Sequence, residues 1–408
     1  MTSVNRCLFA LALLLLPAPL LADWPCWRGP THDGISTDKD VPTTWSATEN
    51  VRWKAAIPGA GVSAPVVWGD RVFLTSSTGR SNEHLHLYSF NVNDGKPVWH
   101  RRFFGSEVSE GQFPPGGMAV PTPAADGKRV FALFGTGDLV CVDFDGKPVW
   151  IRSLAQEYGA FRNRWGMASS PLLLGDLLVV QVDHFGKSYL LGVDAATGRN
   201  RWRTLRDAAV NWTSPAPIRL GNQTTLITSG TYAIKGYDAA TGKELWSVPG
   251  MDVQCIPTPV VRGDRFWVGG GRDYASLCVR LEGAGDKRVP RVEWNVQTKG
   301  VNIPSPVVVG DYFYYAEDNG FAACLDAKTG KSVWRHRLNF KVHASPVAAA
   351  GKIYFAGMNG AVTVFQAGPK LKVLAKNDIG ESIVASPAIS RGRVFLRGEK
   401  HLFCIGEK

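Results

Sequence analysis

The chain has 408 residues, a formal net charge of +11 and 45% hydrophobic residues, with 44 glycines and 25 prolines spread along it rather than clustered. That apolar share is ample for a packed core, and frequent glycine and proline imply frequent tight turns. No stretch after residue 22 reaches the length of a membrane span, and the basic residues fall at turns rather than along one helix, which excludes a helical membrane protein and speaks against nucleic acid as a partner.

Arg6 precedes an apolar run from Cys7 to Leu16, followed by Pro17, Pro19 and the small residue Ala22. A positive start, a short apolar core and a small-residue exit predict a signal peptide over 1–22 and an exported product, periplasmic or secreted. Cys26 is misplaced for lipid attachment next to that cleavage point. Residues 23–50 carry Trp24, Trp27 and Trp45 and are expected to pack as an N-terminal extension on the body that follows, since three indoles are costly to leave in water.

From residue 51 to 408 the chain repeats itself. A Ser/Thr-and-Pro strand opener ends at Pro65, Pro123, Pro171, Pro215, Pro259, Pro306, Pro346 and Pro387. In phase with it come Trp53, Trp99, Trp150, Trp202, Trp246, Trp294 and Trp334. A period of about 40–60 residues, rich in short β-type runs, is what four-stranded units produce. The clearest copies of the turn before the tryptophan are GVDAATGRNRW, GYDAATGKELW and CLDAKTGKSVW. There aspartate can close an Asx-turn, glycine supplies the left-handed conformation, and the indole can wedge between adjacent units.

Cys141, Cys278, Cys324 and Cys404 occupy one repeat position, where other units have Ser89, Gly192 and Gly236. That position calls for a small buried side chain. Cys26 and Cys255 stand outside this pattern, and whether they pair is left open.

The ends of the array fix its topology. The chain enters with an outer-type strand around Trp53 and leaves with three strands lacking an outer one, ending at HLFCIG. The first strand should therefore complete the last unit, closing an all-β, eight-bladed propeller of four-stranded antiparallel blades. The eighth outer strand, KVLAK, has no tryptophan, and its joint is expected to pack less tightly.

The DAATGKELW-type turns resemble the tryptophan-docking motifs of the PQQ-binding-like, or quinoprotein-like, eight-bladed β-propeller family, over roughly residues 51–408. The size is similar to that of the propeller lipoprotein of the outer-membrane β-barrel assembly machinery. The opening DWPCWRGPTHDGIS resembles the start of exported propellers from environmental bacteria. For its enzymatic members the resemblance implies a quinone on the propeller axis, calcium beneath it, a catalytic Asp and an adjacent Cys-Cys disulfide. This chain has no Cys-Cys pair and no C-x-x-C-H haem site.

Residues just before each strand opener should ring one mouth of the central channel. They include Arg164, Trp165, Asn211, Trp212, Gln254, Asn302, His343 and Glu381, a polar-aromatic set suited to a small planar or sugar-like ligand or to a partner protein. No nucleophile, base and acid assemble in the sequence, and no metal site is expected. The first expectation is a monomeric, non-catalytic binding or scaffold protein of the cell envelope without a cofactor. The alternatives are a PQQ-dependent dehydrogenase using PQQ with Ca²⁺, in which Trp165 or Trp212 stacks on the quinone and Arg164 faces its carboxylates, and a carbohydrate-binding propeller.

Overall fold

The computed structural model describes residues 23–107, 116–163, 166–250, 254–270, 275–298 and 302–407. The expected signal peptide lies outside the described residues, as do Arg164 and Trp165.

Among the described residues thirty-two strands form eight four-stranded antiparallel sheets, seven of them in sequential order from inner to outer strand. Blades 1 to 7 span 66–104, 124–153, 172–205, 216–249, 260–297, 307–337 and 347–378. Blade 8 takes its three inner strands from 388–405 and its outer strand from Val51–Ala56, which pairs antiparallel with His401–Ile405 and sets Trp53 opposite Cys404. The eight-bladed ring closes through the chain ends. Middle strands such as Leu177–Val182 are buried at every residue because sheets cover both faces, whereas outer strands such as Asn200–Leu205 carry the exposed charges.

The repeat motif is the blade-to-blade joint. Asp194 Oδ1 accepts from the Thr197 N–H (3.0 Å) and hydroxyl (2.9 Å), folding the turn. Gly198 follows at φ 73°, and a Cβ there would lie 2.7 Å from Cδ2 of Trp150, the indole of the preceding blade. The indole N–H then reaches the next blade's turn carbonyl: Trp150 to Ala195 (3.1 Å), Trp202 to Ala239 (3.1 Å), Trp294 to Ala327 (3.0 Å). The small position has a simple cause: it sits directly across the ladder from the tryptophan, as with Gly192 and Trp202 or Cys324 and Trp334. A Cβ on Gly192 would fall 2.3 Å from the Trp202 ring.

At the tryptophan-free joint the N-terminal extension intervenes. Trp45, 5% exposed, stacks on Tyr354 with ring centroids 6.3 Å apart, and its backbone N–H donates to Asn377 Oδ1 (2.9 Å). An indole from far away in sequence thus covers the blade whose outer strand, Val373–Asp378, has none. No disulfide forms among the described residues: the Cys26 thiol donates to the Gly29 carbonyl (3.2 Å) and that of Cys255 to the Gly230 carbonyl (3.7 Å).

Candidate functional site

Eight strand openers converge on the axis, and their residues fall into two layers. The residue immediately before the proline, Ser or Thr in seven of the eight openers, forms a belt of hydroxyls, and at six joints a backbone N–H reaches forward to the next blade. Ala64 donates to Thr122 (2.9 Å), Thr122 to Ser170 (3.0 Å) and Ser170 to Ser214 (2.9 Å). Thr258 donates to Ser305, Ser305 to Ser345 and Ser345 to Ser386, each at 2.9 Å. An opener hydroxyl thus accepts from a buried backbone N–H of the preceding blade that would otherwise be unpaired. Two residues earlier in each opener stands a collar: Val62, Val120, Ala168, Trp212, Ile256, Ile303, His343 and Val384. Collar and belt enclose an axial cavity of about 120 Å³.

The chain fills the inner-strand end of this channel itself. Trp24 pairs with Val67 on the inner strand of blade 1 and Ile35 with Ala348 on that of blade 7, and between them the segment reaches across the axis to blade 5. Trp27 lines the cavity, and its indole N–H donates to Thr258 Oγ1 (2.9 Å). Arg28, 2% exposed, donates from Nη1 to the Pro346 carbonyl (2.8 Å) and from Nη2 to those of Pro306 (2.5 Å) and Asp33 (3.0 Å). Burial pushes its guanidinium down to about 10, with Asp33 pulling the other way.

Of the predicted mouth residues within the described chain, Trp212 and His343 face the axis. Trp212 is nearly buried, with its indole N–H on the Gly166 carbonyl (2.9 Å). Burial holds the His343 imidazole below its ordinary range, against the opposing pull of Asp318. Asn302 lies beside the same carboxylate: Asp318 Oδ1 accepts from the N–H groups of Asn302 (3.4 Å) and Ile303 (3.1 Å). Asn211 turns away from the axis and ties loops together, its Oδ1 accepting from the Cys255 N–H (3.1 Å) and its Nδ2 donating to the Ala209 carbonyl (2.9 Å). Gln254 is half-buried with φ 70°. Glu381 is engaged by His401, by Lys54 at 3.2 Å and by the Lys400 N–H at 3.0 Å. Burial alone would raise its carboxyl, but these donors hold it below the usual range.

Sequence reasoning passed over Trp27, Arg28 and Asp318. For the first two the signal was present in the tryptophan-rich opening segment. For Asp318 the turn-like run DNG concealed it.

The sequence pattern of the family described as outer membrane protein assembly factor BamB matches residues 35–160, 104–252 and 232–368. The chain belongs to that family. It is 37% identical over 94 residues to the BamB of Burkholderia pseudomallei, covering 23% of this chain and 24% of that one. With the BamB of Shewanella oneidensis it shares 26% identity over 286 residues, covering 67% of this chain and 63% of the relative. The matched stretches thus span less than two thirds of either relative's length. Among solved structures, BamB from Moraxella catarrhalis superposes with a TM-score of 0.63 at 13% identity, over 87% of this chain and 96% of that one. A europium-containing methanol dehydrogenase superposes at 0.68 and 13% identity, over 92% and 89%. These two likenesses establish the fold they share.

The quinone that the sequence resemblance implies for enzymatic propellers would sit on the axis, and the described axial residues do not fit it. Cofactor pockets run to about 300–1,000 Å³, whereas the axial cavity is about 120 Å³ and its collar is mostly aliphatic. Arg28, the cation on the axis, already has three carbonyls as partners. Among the described residues no cluster of three or more His, Cys, Asp or Glu side chains is placed to hold a metal ion.

Proposed function

We propose that this chain is an exported, non-catalytic propeller that acts as a binding scaffold for envelope proteins during outer-membrane protein assembly. The observation that carries the reading is the self-filled axis: Trp27 and Arg28 occupy the channel and an aliphatic collar narrows the rest. A ring without interior room has its loop faces left for recognition. Membership of the BamB family supports the same reading, and no helix among the described residues is long and apolar enough to cross a membrane.

The face proposed to receive the partner is the one with the channel mouth, with Gln254, Asn302 and His343 as contact residues; Arg164 and Trp165, assigned to the same set from the sequence, lie outside the described residues. Asn211, Trp212 and Glu381 hold its loops in place. The strand ends and loops on that side also present Phe104, Phe185 and Tyr232, exposed by 65%, 70% and 71%, which suits an apolar contact with a protein better than a sugar site.

The test is genetic and chemical together. Removing the gene from its native host is expected to lower the folded β-barrel content of the outer membrane, read by heat-modifiable gel mobility, and the intact gene should restore it. Purified protein given PQQ and Ca²⁺ should show neither saturable quinone absorbance nor dye reduction with alcohols. Unchanged barrel levels together with quinone turnover would replace the scaffold with a dehydrogenase.

A further inference from the structure

The hydroxyl belt is interrupted at two joints. Between blades 4 and 5, Thr258 accepts instead from Trp27. At the seam between blades 8 and 1, Ala64 stands where the other openers have Ser or Thr, and Arg397 reaches in from blade 8. Its Nη1 donates to the Ser63 hydroxyl (2.7 Å) and carbonyl (3.1 Å). Arg397 lies two residues past Phe395, the partner of Ala388 in the inner ladder. At the corresponding register the other blades are uncharged, with Thr75, Gln181, Ser229, Ala316 and Ala356 among them.

This guanidinium is 2% exposed, and no carboxylate pairs with it among the described residues. The other deep arginines are matched: Arg206 by Asp183 at 2.8 Å, Arg28 by three carbonyls. Nε and Nη2 of Arg397 make no hydrogen bond within the described residues, yet neither is sealed from solvent. Nη2 packs on Gly61, where a Cβ would come within 2.3 Å of it. Gly61 lines a pocket of about 830 Å³ together with Gly59, Ser382, Val384 and Lys400, a volume within the range of small-molecule sites. At its rim the exposed charges of Glu399 and Lys400 offset each other. Glu381, also at the seam, is already engaged by His401 and Lys54. Burial without a counter-charge pushes Arg397 down to about 9, Tyr88 opposing weakly. A buried cation with no partner is destabilising in the empty protein, and an arriving oxyanion would remove that penalty.

We propose that Arg397, Ser63 and the Gly59–Gly61 loop form a binding site for a small oxyanion, a carboxylate or a phosphate group, entering through the pocket at the ring-closure seam. The planar fork of Arg397 offers its two free donors to such a group, and the pocket lined by Gly61, the residue on which Nη2 packs, has the room for it. The site stands apart from the scaffold reading, which survives its failure.

The test is thermal melting of the purified protein with inorganic phosphate in one arm and succinate in the other. Sodium chloride holds the ionic strength constant in both. Wild type is expected to melt higher by about 1–2 °C as either anion saturates the site. Arg397→Met should melt at or above wild type in chloride alone, because an unpaired buried charge is gone, and should show no such rise. Gly61→Ala, which pushes a methyl group onto Nη2, should also lose the response while keeping the charge. A rise in the phosphate arm alone assigns the site to phosphate groups, and one in the succinate arm alone to carboxylates. No rise in wild type, or an equal rise in all three proteins, overturns the proposal.

Discussion

Trp27 and Thr258 meet on the propeller axis, the indole N–H donating to the threonine hydroxyl at 2.9 Å across more than half the chain. The contact joins the N-terminal extension to blade 5 and takes up a belt hydroxyl that would otherwise face the channel. Trp27→Ala should therefore lower stability by about 2–4 kcal/mol, combining lost burial with an unpaired threonine. Urea denaturation reads this as a shifted midpoint, and an unchanged midpoint would show that the extension only rests on the ring.

Ser345 tests the belt at a joint that lacks any such help. Its hydroxyl accepts the Ser305 N–H while its own N–H donates to Ser386 Oγ. Ser345→Ala leaves the first of these N–H groups buried and unmet, a cost of about 1–3 kcal/mol. Hydrogen exchange should accelerate at the Ser305 amide first. Equal protection in both proteins would mean that the belt carries no energy.

The docking turns make a steric prediction. Gly242 has φ 71°, and a Cβ there would lie 2.4 Å from the Trp202 ring of the preceding blade. Gly242→Ala should destabilise by more than the about 1 kcal/mol of backbone strain alone, because the indole must also move. Trp202→Phe in the same background relieves the clash, so the double variant should lose less than the sum of the two single changes. Additive losses would dissociate the glycine from the indole.

Histidines set the acid limit. Burial, foremost, lowers His32 and His86 from 6.5 to about 4, the Trp27 backbone opposing it at His32 and His100, His84 and Arg102 adding to it at His86. His86 is also tied to Thr78 (2.7 Å) and to His100 (2.9 Å). Between about pH 6.5 and 4 the unfolded chain binds protons that the folded one refuses, so stability falls as pH drops through that window. The urea midpoint should be lower at pH 5 than at pH 7, and His86→Gln should shrink the difference. A flat profile would show that these imidazoles charge without penalty.

Arg206 and Asp183 form a buried ion pair, with 2% and 1% side-chain exposure and an Nε to Oδ1 distance of 2.8 Å. Asp183→Ala strands the guanidinium beside Tyr237 and should cost about 3–5 kcal/mol. Calorimetry that finds a loss below about 1 kcal/mol would show the cation has rearranged to water.

By itself the sequence determined the ring. The recurring Asp, Gly and Trp are local turn and ladder requirements, so GYDAATGKELW announces its own geometry, and the orphan strand at Trp53 could have no partner but the unfinished last unit. The small position was legible too, although its cause, the indole lying across the ladder, needed the register. Only the tertiary structure decided what occupies the axis. Nothing local places Trp27 against Thr258, Trp45 over the blade without an indole, or Arg397 at Ser63. Such contacts join residues hundreds of positions apart, and they depend on which side of the ring the extension crosses, which no periodicity records. The same holds for Asn211 and Trp212, adjacent in sequence yet turned one into the loops and one toward the channel, because the direction of a side chain in a loop is set by its hydrogen-bond partners rather than by its spacing.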